Sequence, residues 1–352
     1  MPSDTMKALR KARPERGAQL ETVSIPKIGA SDVLVRVRAA SICGTDLHIY
    51  DWDAWSQAHI QPPLTFGHEF CGFVEKVGDE VAGLRPGDFV SAEMHVNCGH
   101  CLACRLGQGH VCPNVRIIGI HADGCFAEFV RIPARNVWKI DPSIPAHYAA
   151  IMDPLGNAVH TVLAGPIAGY SAVVTGCGPI GLMSIAVARA AGASTILATE
   201  INSHRRGLAT KMGADAAFDP TEGDVVARVK EATGGEGADV LLEMSGHPAA
   251  IRQGLGMLRP GGRASLLGIP KEPLTLDLFN DVIVKGTVVQ GIFGRRMFET
   301  WVEMNALLKS GRLNLEPLFR ERLPIERFED AFSLLEKGQA SKVLLFPNGA
   351  AD

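Results

Sequence analysis

The sequence predicts an α/β protein of two domains, a β-rich half followed by a doubly wound parallel sheet. Three observations predict it. The chain has 352 residues, about two domains' worth at roughly 150 residues each. Its patterning changes near residue 146, from short alternating segments to longer helical stretches separated by short apolar strands. A glycine-punctuated turn at 176–181 joins one such strand to an apolar helix, the junction a βαβ unit requires.

Each element follows from local pattern. Asp32 to Ala40 (DVLVRVRAA) alternates apolar and polar residues, as a half-buried strand does. Phe73 to Gly78, Asp88 to Val90 and Phe126 to Ile132 are further short strands bounded by turn-forming residues. In the second half, Ser171 to Thr175 is a strand, Ile180 to Ala191 a helix and Thr195 to Thr199 a strand. Asp239 to Glu243 and Arg263 to Gly268 continue the series. Alternation of this kind implies parallel strands with helical crossovers. After Met297 come two helices, Glu299 to Leu308 and Ile325 to Leu335, then a strand, Lys342 to Phe346.

Composition narrows the function. Lys plus Arg is 35 and Asp plus Glu is 38, a net charge of −3, so no partner recruited by a basic field, nucleic acid or membrane surface, is expected. The opening MPSDTMKALR carries Asp4, Lys7 and Arg10 and leads into no apolar run, so a cytoplasmic protein without a secretory leader is expected. Leu155 to Ala188 lacks Asp, Glu, Lys and Arg, but it is broken by several Gly and Pro residues. It therefore reads as buried helix, turn, strand and helix, not as a membrane span. Glycine stands out at 38 residues, about 11% against a usual ~7%. There are eight cysteines, too few for a disulfide scaffold and enough for a metal site.

Gly176, Gly178 and Gly181 form G-x-G-x-x-G between the strand at 171–175 and the helix that follows. In that context the glycines allow a tight turn, close approach of a pyrophosphate and close helix–strand packing. Phosphates then sit at a helix N-terminus, where free N–H groups favour anions. This is a Rossmann-type fingerprint. Glu200, at the end of the next strand, lies 19 residues after Gly181, where a carboxylate accepts ribose hydroxyls and repels a 2′-phosphate. Arg205 and Arg206 could serve such a phosphate, but the carboxylate acts directly, and NAD is expected over NADP.

Cys98, Cys101, Cys104 and Cys112 fall within fifteen residues. Chance clustering and disulfides are the alternatives, and a reducing compartment disfavours the second. Four thiolates close a tetrahedral zinc shell, so a structural site in a lobe at about 95–115 is expected. A second group is more dispersed. Cys43 lies in C-G-T-D, and His68 and Glu69 adjoin in G-H-E. Each residue alone has an ordinary explanation as core or cap. Together with a dinucleotide fold they suggest an open zinc site that polarises an alcohol oxygen.

C-G-T-D, then G-H-E-x2-G-x5-G-x2-V, the four-cysteine lobe and the glycine fingerprint together resemble the zinc-dependent medium-chain alcohol dehydrogenases. Stretches at 48–57, 153–161, 267–270 and 294–301 are similar to the branch that acts on L-threonine. The resemblance implies a GroES-like catalytic domain at 1–155 and 297–352 and a Rossmann domain at 156–296. It implies Cys43, His68 and Glu69 at a catalytic zinc, with Asp153 nearby, and a proton relay through Thr45 and His48. It implies substrate contact at His95 and Asp153, and a cofactor lined by Ile180, Glu200, Arg205, Leu267, Gly268, Ile269, Ile292 and Phe293. The implied reaction is NAD-dependent oxidation of L-threonine to 2-amino-3-oxobutanoate by a homotetramer with two zinc ions per subunit. Two readings stay open beside it: a polyol, 2,3-butanediol or other secondary-alcohol dehydrogenase, and a zinc- and dinucleotide-binding protein without catalysis. Cys71, Cys125 and Cys177 read as packing residues.

Overall fold

The computed structural model describes residues 4–349; the outermost residues of the expected catalytic domain, 1–3 and 350–352, lie outside the described residues. The chain forms two compact units, Met1–Asp153 with Phe319–Asp352, and Pro154–Leu318.

The first unit is built on a seven-stranded sheet. Its order is Val137–Lys139, Phe89–Ala92, Phe70–Val77, Asp32–Ser41, Lys342–Phe346 and Phe319–Pro324, with Phe129–Pro133 also paired to Asp32–Ser41. Asp32–Ser41 is the hub because its alternating valines give it one continuous buried face: Val33, Val35 and Val37 are fully buried while Arg36 is exposed. The C-terminal strand Lys342–Phe346 runs antiparallel to it, with Leu344 opposite Ser41 and Leu345 opposite Ala40. Between these sheets and the helix Phe328–Glu336 sits an apolar core containing Phe66, Phe70, Phe126, Phe332 and Val343. A small antiparallel sheet, Gln19–Ser24, Thr5–Lys11 and Leu64–Thr65, completes the unit.

The second unit is a six-stranded parallel sheet in the order Ala216–Phe218, Thr195–Thr199, Ser171–Thr175, Ala238–Glu243, Leu258–Leu266 and Val288–Gly291. Numbered along the chain this order is third, second, first, fourth, fifth, sixth, the doubly wound arrangement in which ligands bind beyond the carboxyl ends of the strands. Its central strands are apolar on both faces, as a sheet covered by helices on each side requires; Val173, Leu241, Ile251 and Leu255 pack together in its core. No helix of the described residues is long and apolar enough to cross a membrane.

One boundary differs from the sequence expectation. Residues 297–318 belong to the second unit, so the chain returns to the first unit at 319 and not at 297. The helix Glu299–Lys309 carries Trp301 and Met304, both fully buried. The turn after it is tied to the second unit by Asn314, whose Nδ2 donates to the Lys211 carbonyl at 3.3 Å. An amphipathic helix declares that it has a core-facing side without declaring which core.

Candidate active site

Helix Gly44–Asp51 starts directly after the hub strand, with Cys43 at its N-cap. Asp46, in the first turn, accepts the Cys43 N–H through Oδ2 at 2.8 Å, which fixes the helix entry. Its other oxygen, Oδ1, stands 3.5 Å from His68 Nδ1. Asp46 is fully buried. Cys43 Sγ, a ring nitrogen of His68 and a carboxylate oxygen of Glu69 all lie within 4.8 Å of one another. Glu69 Oε1 is buried without a hydrogen-bond partner, whereas Oε2 accepts from the Lys342 ammonium at 2.5 Å.

A buried carboxylate oxygen left over beside a thiol and an imidazole is a donor set that a divalent cation satisfies. The electrostatics agree. Burial alone would pull His68 down, yet Asp46 and the Cys43 sulfur outweigh it and hold the imidazole well above its usual range. Surroundings that favour a positive charge there also favour zinc, and three protein donors leave a fourth position open. Thr45 Oγ1 lies 3.9 Å from Cys43 Sγ. His48, farther along the same helix, is half exposed, with Nδ1 2.6 Å from Asp53 Oδ2. Asp153 is buried in the first turn of helix Met152–Leu163 and is not a member of the close group.

His95 is not a loose loop residue. It opens the short strand His95–Val96, paired with Arg116–Ile117. Its backbone N–H and Nδ1 both meet Glu93 Oε1, at 3.0 and 2.9 Å. Asn136 Nδ2 donates to the carbonyls of Glu93 and His95 at 2.6 and 3.0 Å. Immediately beyond lies the cysteine lobe. Its sulfurs approach at 4.0 Å (Cys98–Cys104), 3.5 Å (Cys101–Cys104) and 3.7 Å (Cys101–Cys112). Bonds of about 2.3 Å to a tetrahedral zinc would set the sulfur–sulfur edge at about 3.8 Å, so the four thiols fit that ion. All eight cysteines are free thiols. Backbone N–H groups of His100 and Cys101 pull the Cys98 thiol down to about 6, whereas at Cys101 the Cys104 N–H is outweighed by burial and the neighbouring thiols, which push the thiol up to about 11. Without a cation the cluster therefore favours one thiolate beside a protonated neighbour.

In the second unit the carboxyl ends of the strands collect the expected dinucleotide residues. Gly176 has φ 88°, and a Cβ there would meet Ser245 at 2.8 Å; a Cβ on Gly181 would stand 2.0 Å from the Gly176 carbonyl. Gly178, the N-cap of helix Pro179–Ala190, has no neighbour within 4 Å of a would-be Cβ. Two glycines are thus required by packing and the third keeps open space at the helix N-terminus, as a pyrophosphate cradle does. Glu200 is buried and takes the N–H groups of Cys177 and Asn202 at 2.8 and 2.9 Å. Arg206 is committed to Asp219 at 2.8 Å and to the Glu200 carbonyl at 2.7 Å. Asn202 caps helix Ser203–Lys211 by accepting the Arg205 N–H. Ile180 lies in the first turn of helix Pro179–Ala190, after Pro179. Leu267, Gly268 and Ile269 follow the fifth strand, and Ile292 and Phe293 the sixth. Ile269 and Phe293 are exposed apolar side chains there.

Five further residues support the site and were not expected from sequence. Asp46, Asp53, Glu93 and Lys342 each hold a residue named above. Glu243, fully buried, gathers the N–H groups of Ser245 and Gly246 at 2.9 and 3.0 Å and so shapes the loop that faces Gly176. An acid closing an otherwise apolar strand was the available signal for it.

Comparison with known proteins gives the family. Residues 29–142 match the alcohol dehydrogenase GroES-like domain, and residues 179–310 match the zinc-binding dehydrogenase domain. The chain is 50% identical to an L-threonine 3-dehydrogenase of Bacillus licheniformis, over 97% of this chain and 99% of that one. It is 51% identical to an L-threonine 3-dehydrogenase of Symbiobacterium thermophilum, over 98% and 99%. A zinc-binding dehydrogenase of Sinorhizobium meliloti, solved with NADP bound, superposes with a TM-score of 0.90 at 31% identity, over 98% of this chain and 100% of that one. The chain therefore belongs to the zinc-binding medium-chain alcohol dehydrogenases, in the group of the L-threonine 3-dehydrogenases.

Proposed function

We propose that this protein oxidises the hydroxyl of L-threonine to 2-amino-3-oxobutanoate with NAD as acceptor. One observation carries the chemistry: donor atoms of Cys43, His68 and Glu69 lie within 4.8 Å of one another, Glu69 Oε1 is buried without a partner, and the Thr45 hydroxyl is beside Cys43. The kinship with L-threonine 3-dehydrogenases supports the substrate. When bound, zinc acidifies the substrate hydroxyl and NAD takes up the hydride. The residues of the chain do the rest. Thr45 receives the hydroxyl proton and His48 passes it to solvent. His95, held by Glu93, and Asp153 contact the substrate. Gly176, Gly178, Ile180 and Gly181 seat the pyrophosphate. Glu200 and Arg205 take the adenosine ribose, and Leu267, Gly268, Ile269, Ile292 and Phe293 line the remainder of the cofactor.

We favour NAD over NADP because Glu200, buried at the end of the second strand of the parallel sheet against the 176–181 turn, would accept ribose hydroxyls and repel a 2′-phosphate there, and Arg206 is already paired with Asp219. A second zinc, structural, is assigned to Cys98, Cys101, Cys104 and Cys112. A homotetramer is proposed from the kinship with the family, and the open edge of the parallel sheet supports the pairing of two copies within it. Val288 and Val289 on strand Val288–Gly291 are exposed, as are Leu278, Phe279, Ile283 and Val284. An apolar sheet edge of this kind is covered in stable proteins, and a second copy of the same edge is the occupant that a homo-oligomer supplies. Eight free thiols suit a reducing compartment, which supports a cytoplasmic setting.

The deciding experiment is a substrate panel with the zinc-loaded enzyme: L-threonine, 2,3-butanediol, sorbitol and ethanol, each with NAD and with NADP. L-threonine with NAD is expected to give the highest kcat/KM. A higher value for 2,3-butanediol or sorbitol would replace the substrate assignment.

A further inference from the structure

His48 is anchored by a neighbour that no motif names. After helix Gly44–Asp51 the chain turns at Trp52, whose φ is 58°, and Asp53 becomes the N-cap of the short helix Ala54–His59. One oxygen of Asp53, Oδ1, accepts the Ser56 N–H at 3.0 Å. The other, Oδ2, lies 2.6 Å from His48 Nδ1. The cap fixes the carboxylate, and the carboxylate fixes the imidazole. An ionised carboxylate only accepts, so Nδ1 is the nitrogen that carries hydrogen and Nε2 keeps its lone pair. The ring of Trp55 flanks that of His48, with centroids 6.1 Å apart. Both partners are partly open to water, at 48% and 39% side-chain exposure.

Other ionisable groups on the two helices are engaged elsewhere. Asp46 is turned to Cys43 and His68, Asp51 accepts from Arg16 at 3.0 Å, and His59 stacks on Trp55. Hydrogen bonding to Ser56 is the first cause that holds the Asp53 carboxyl below its usual range, with the His48 bond adding to it.

We propose that Asp53 is the positioning residue of the proton exit, holding His48 as the Nδ1–H tautomer with Nε2 as the base. The inference rests on the Thr45–His48 relay proposed above. The proton balance is simple. The substrate O–H bond breaks, and the relay that begins at Thr45 delivers one proton to His48 Nε2. The imidazolium, held through Nδ1–H by Asp53, then releases one proton to water and returns to its starting tautomer. The hydride leaves separately to NAD, so His48 and Asp53 undergo no net change.

The test uses Asp53→Asn and Asp53→Ser in the zinc-loaded enzyme with L-threonine and NAD. Both side chains still cap the helix at Ser56. The Asn amide can offer N–H to Nδ1 and favour the wrong tautomer, and Ser does not reach the ring. The expected result is a fall in kcat of roughly tenfold to a hundredfold, a fraction of what general acid–base help supplies. KM for NAD and the thermal midpoint stay unchanged, the solvent deuterium isotope effect on kcat rises, and added imidazole restores part of the rate. Ring ¹⁵N shifts of His48 are expected to show hydrogen on Nδ1 in the parent and on Nε2 in Asp53→Asn. Unchanged kcat and isotope effect in both variants overturn the inference, as does a rate loss that follows the thermal midpoint and ignores imidazole. His48→Ala separates the two levels. If it slows turnover while the Asp53 variants do not, the relay stands and Asp53 has no part in it; if it too is without effect, the relay itself fails.

Discussion

Lys342 Nζ lies 2.5 Å from Glu69 Oε2, joining residues 273 apart in sequence in a pair that is 2% and 0% exposed. Lys342 also donates to the Ile42 carbonyl at 3.1 Å. The last strand of the chain thereby delivers a cation to the back of the Cys43, His68 and Glu69 group. Glu69 is left with one oxygen bound to that cation and the other facing an unmet demand.

Breaking this pair from one side strands a buried charge. Lys342→Met is expected to destabilise the protein by about 3–5 kcal/mol, whereas a paired Lys342→Met, Glu69→Leu variant recovers most of it. Burial works against the charge on Lys342, but Glu69 and Cys43 outweigh it and raise the lysine above 10.5. A folded value above the unfolded one means that its contribution is complete below pH 10.5 and is lost as pH rises through the folded value. Urea unfolding of parent and variant from pH 7 to 11 checks both points. Equal midpoints at pH 7, or a difference that grows above pH 10.5, would refute the account.

Cys101→Ser is expected to release the lobe metal and disorder residues near 95–115. The sulfur spacings of 3.5–4.0 Å suit one shared ion, and the lobe has little core to replace it: the helix Leu102–Arg105 has no buried residue, and Leu102 and Leu106 are 74% and 64% exposed. Metal analysis should fall from two zinc ions per subunit toward one, with faster proteolysis in the lobe and a lower thermal midpoint. Full metal content and an unchanged midpoint would remove the structural-zinc assignment.

Much of this was legible in the sequence where the signal is local. Strands Ser171–Thr175, Thr195–Thr199 and Lys342–Phe346 form where the pattern puts them, because each is an apolar run between turn residues. The strand Leu258–Leu266 begins five residues before the expected Arg263. Pro260, Gly261 and Gly262 read as breakers, but the register shift opposite Ala238 and Val240 accommodates them. Strand Val288–Gly291 gave no alternating signal because its valines are exposed at the sheet edge. In the candidate site, the groups carried by spaced motifs, Cys43 with His68 and Glu69 and the four lobe cysteines, come together. The residues that hold them do not announce themselves. Nothing near Lys342 or Glu69 in sequence reveals that the sheet order brings them into contact.

Glu200→Gln is expected to relax the choice of cofactor. The amide keeps an oxygen for the Cys177 or Asn202 N–H but removes the negative charge on which the proposed exclusion of a 2′-phosphate rests. The ratio of kcat/KM for NADP to that for NAD should rise by about tenfold, equivalent to about 1.4 kcal/mol. Initial rates with both cofactors at saturating L-threonine measure it. A ratio that does not move would show that another group sets the preference.

Asp46→Asn tests the support behind the candidate catalytic zinc without touching a ligand. The amide oxygen can still accept the Cys43 N–H that Asp46 Oδ2 holds at 2.8 Å, so the helix start is retained. What is lost is the negative charge 3.5 Å from His68 Nδ1, which orients the ring and strengthens it as a donor. Loss of such a partner weakens metal binding by about 10–100-fold. Competition with a graded series of chelators should therefore strip one zinc per subunit from the variant at concentrations that leave the parent intact, while the lobe zinc stays in both. Added zinc should restore turnover. If both ions resist chelation equally in parent and variant, Asp46 contributes packing to His68 and no measurable metal affinity.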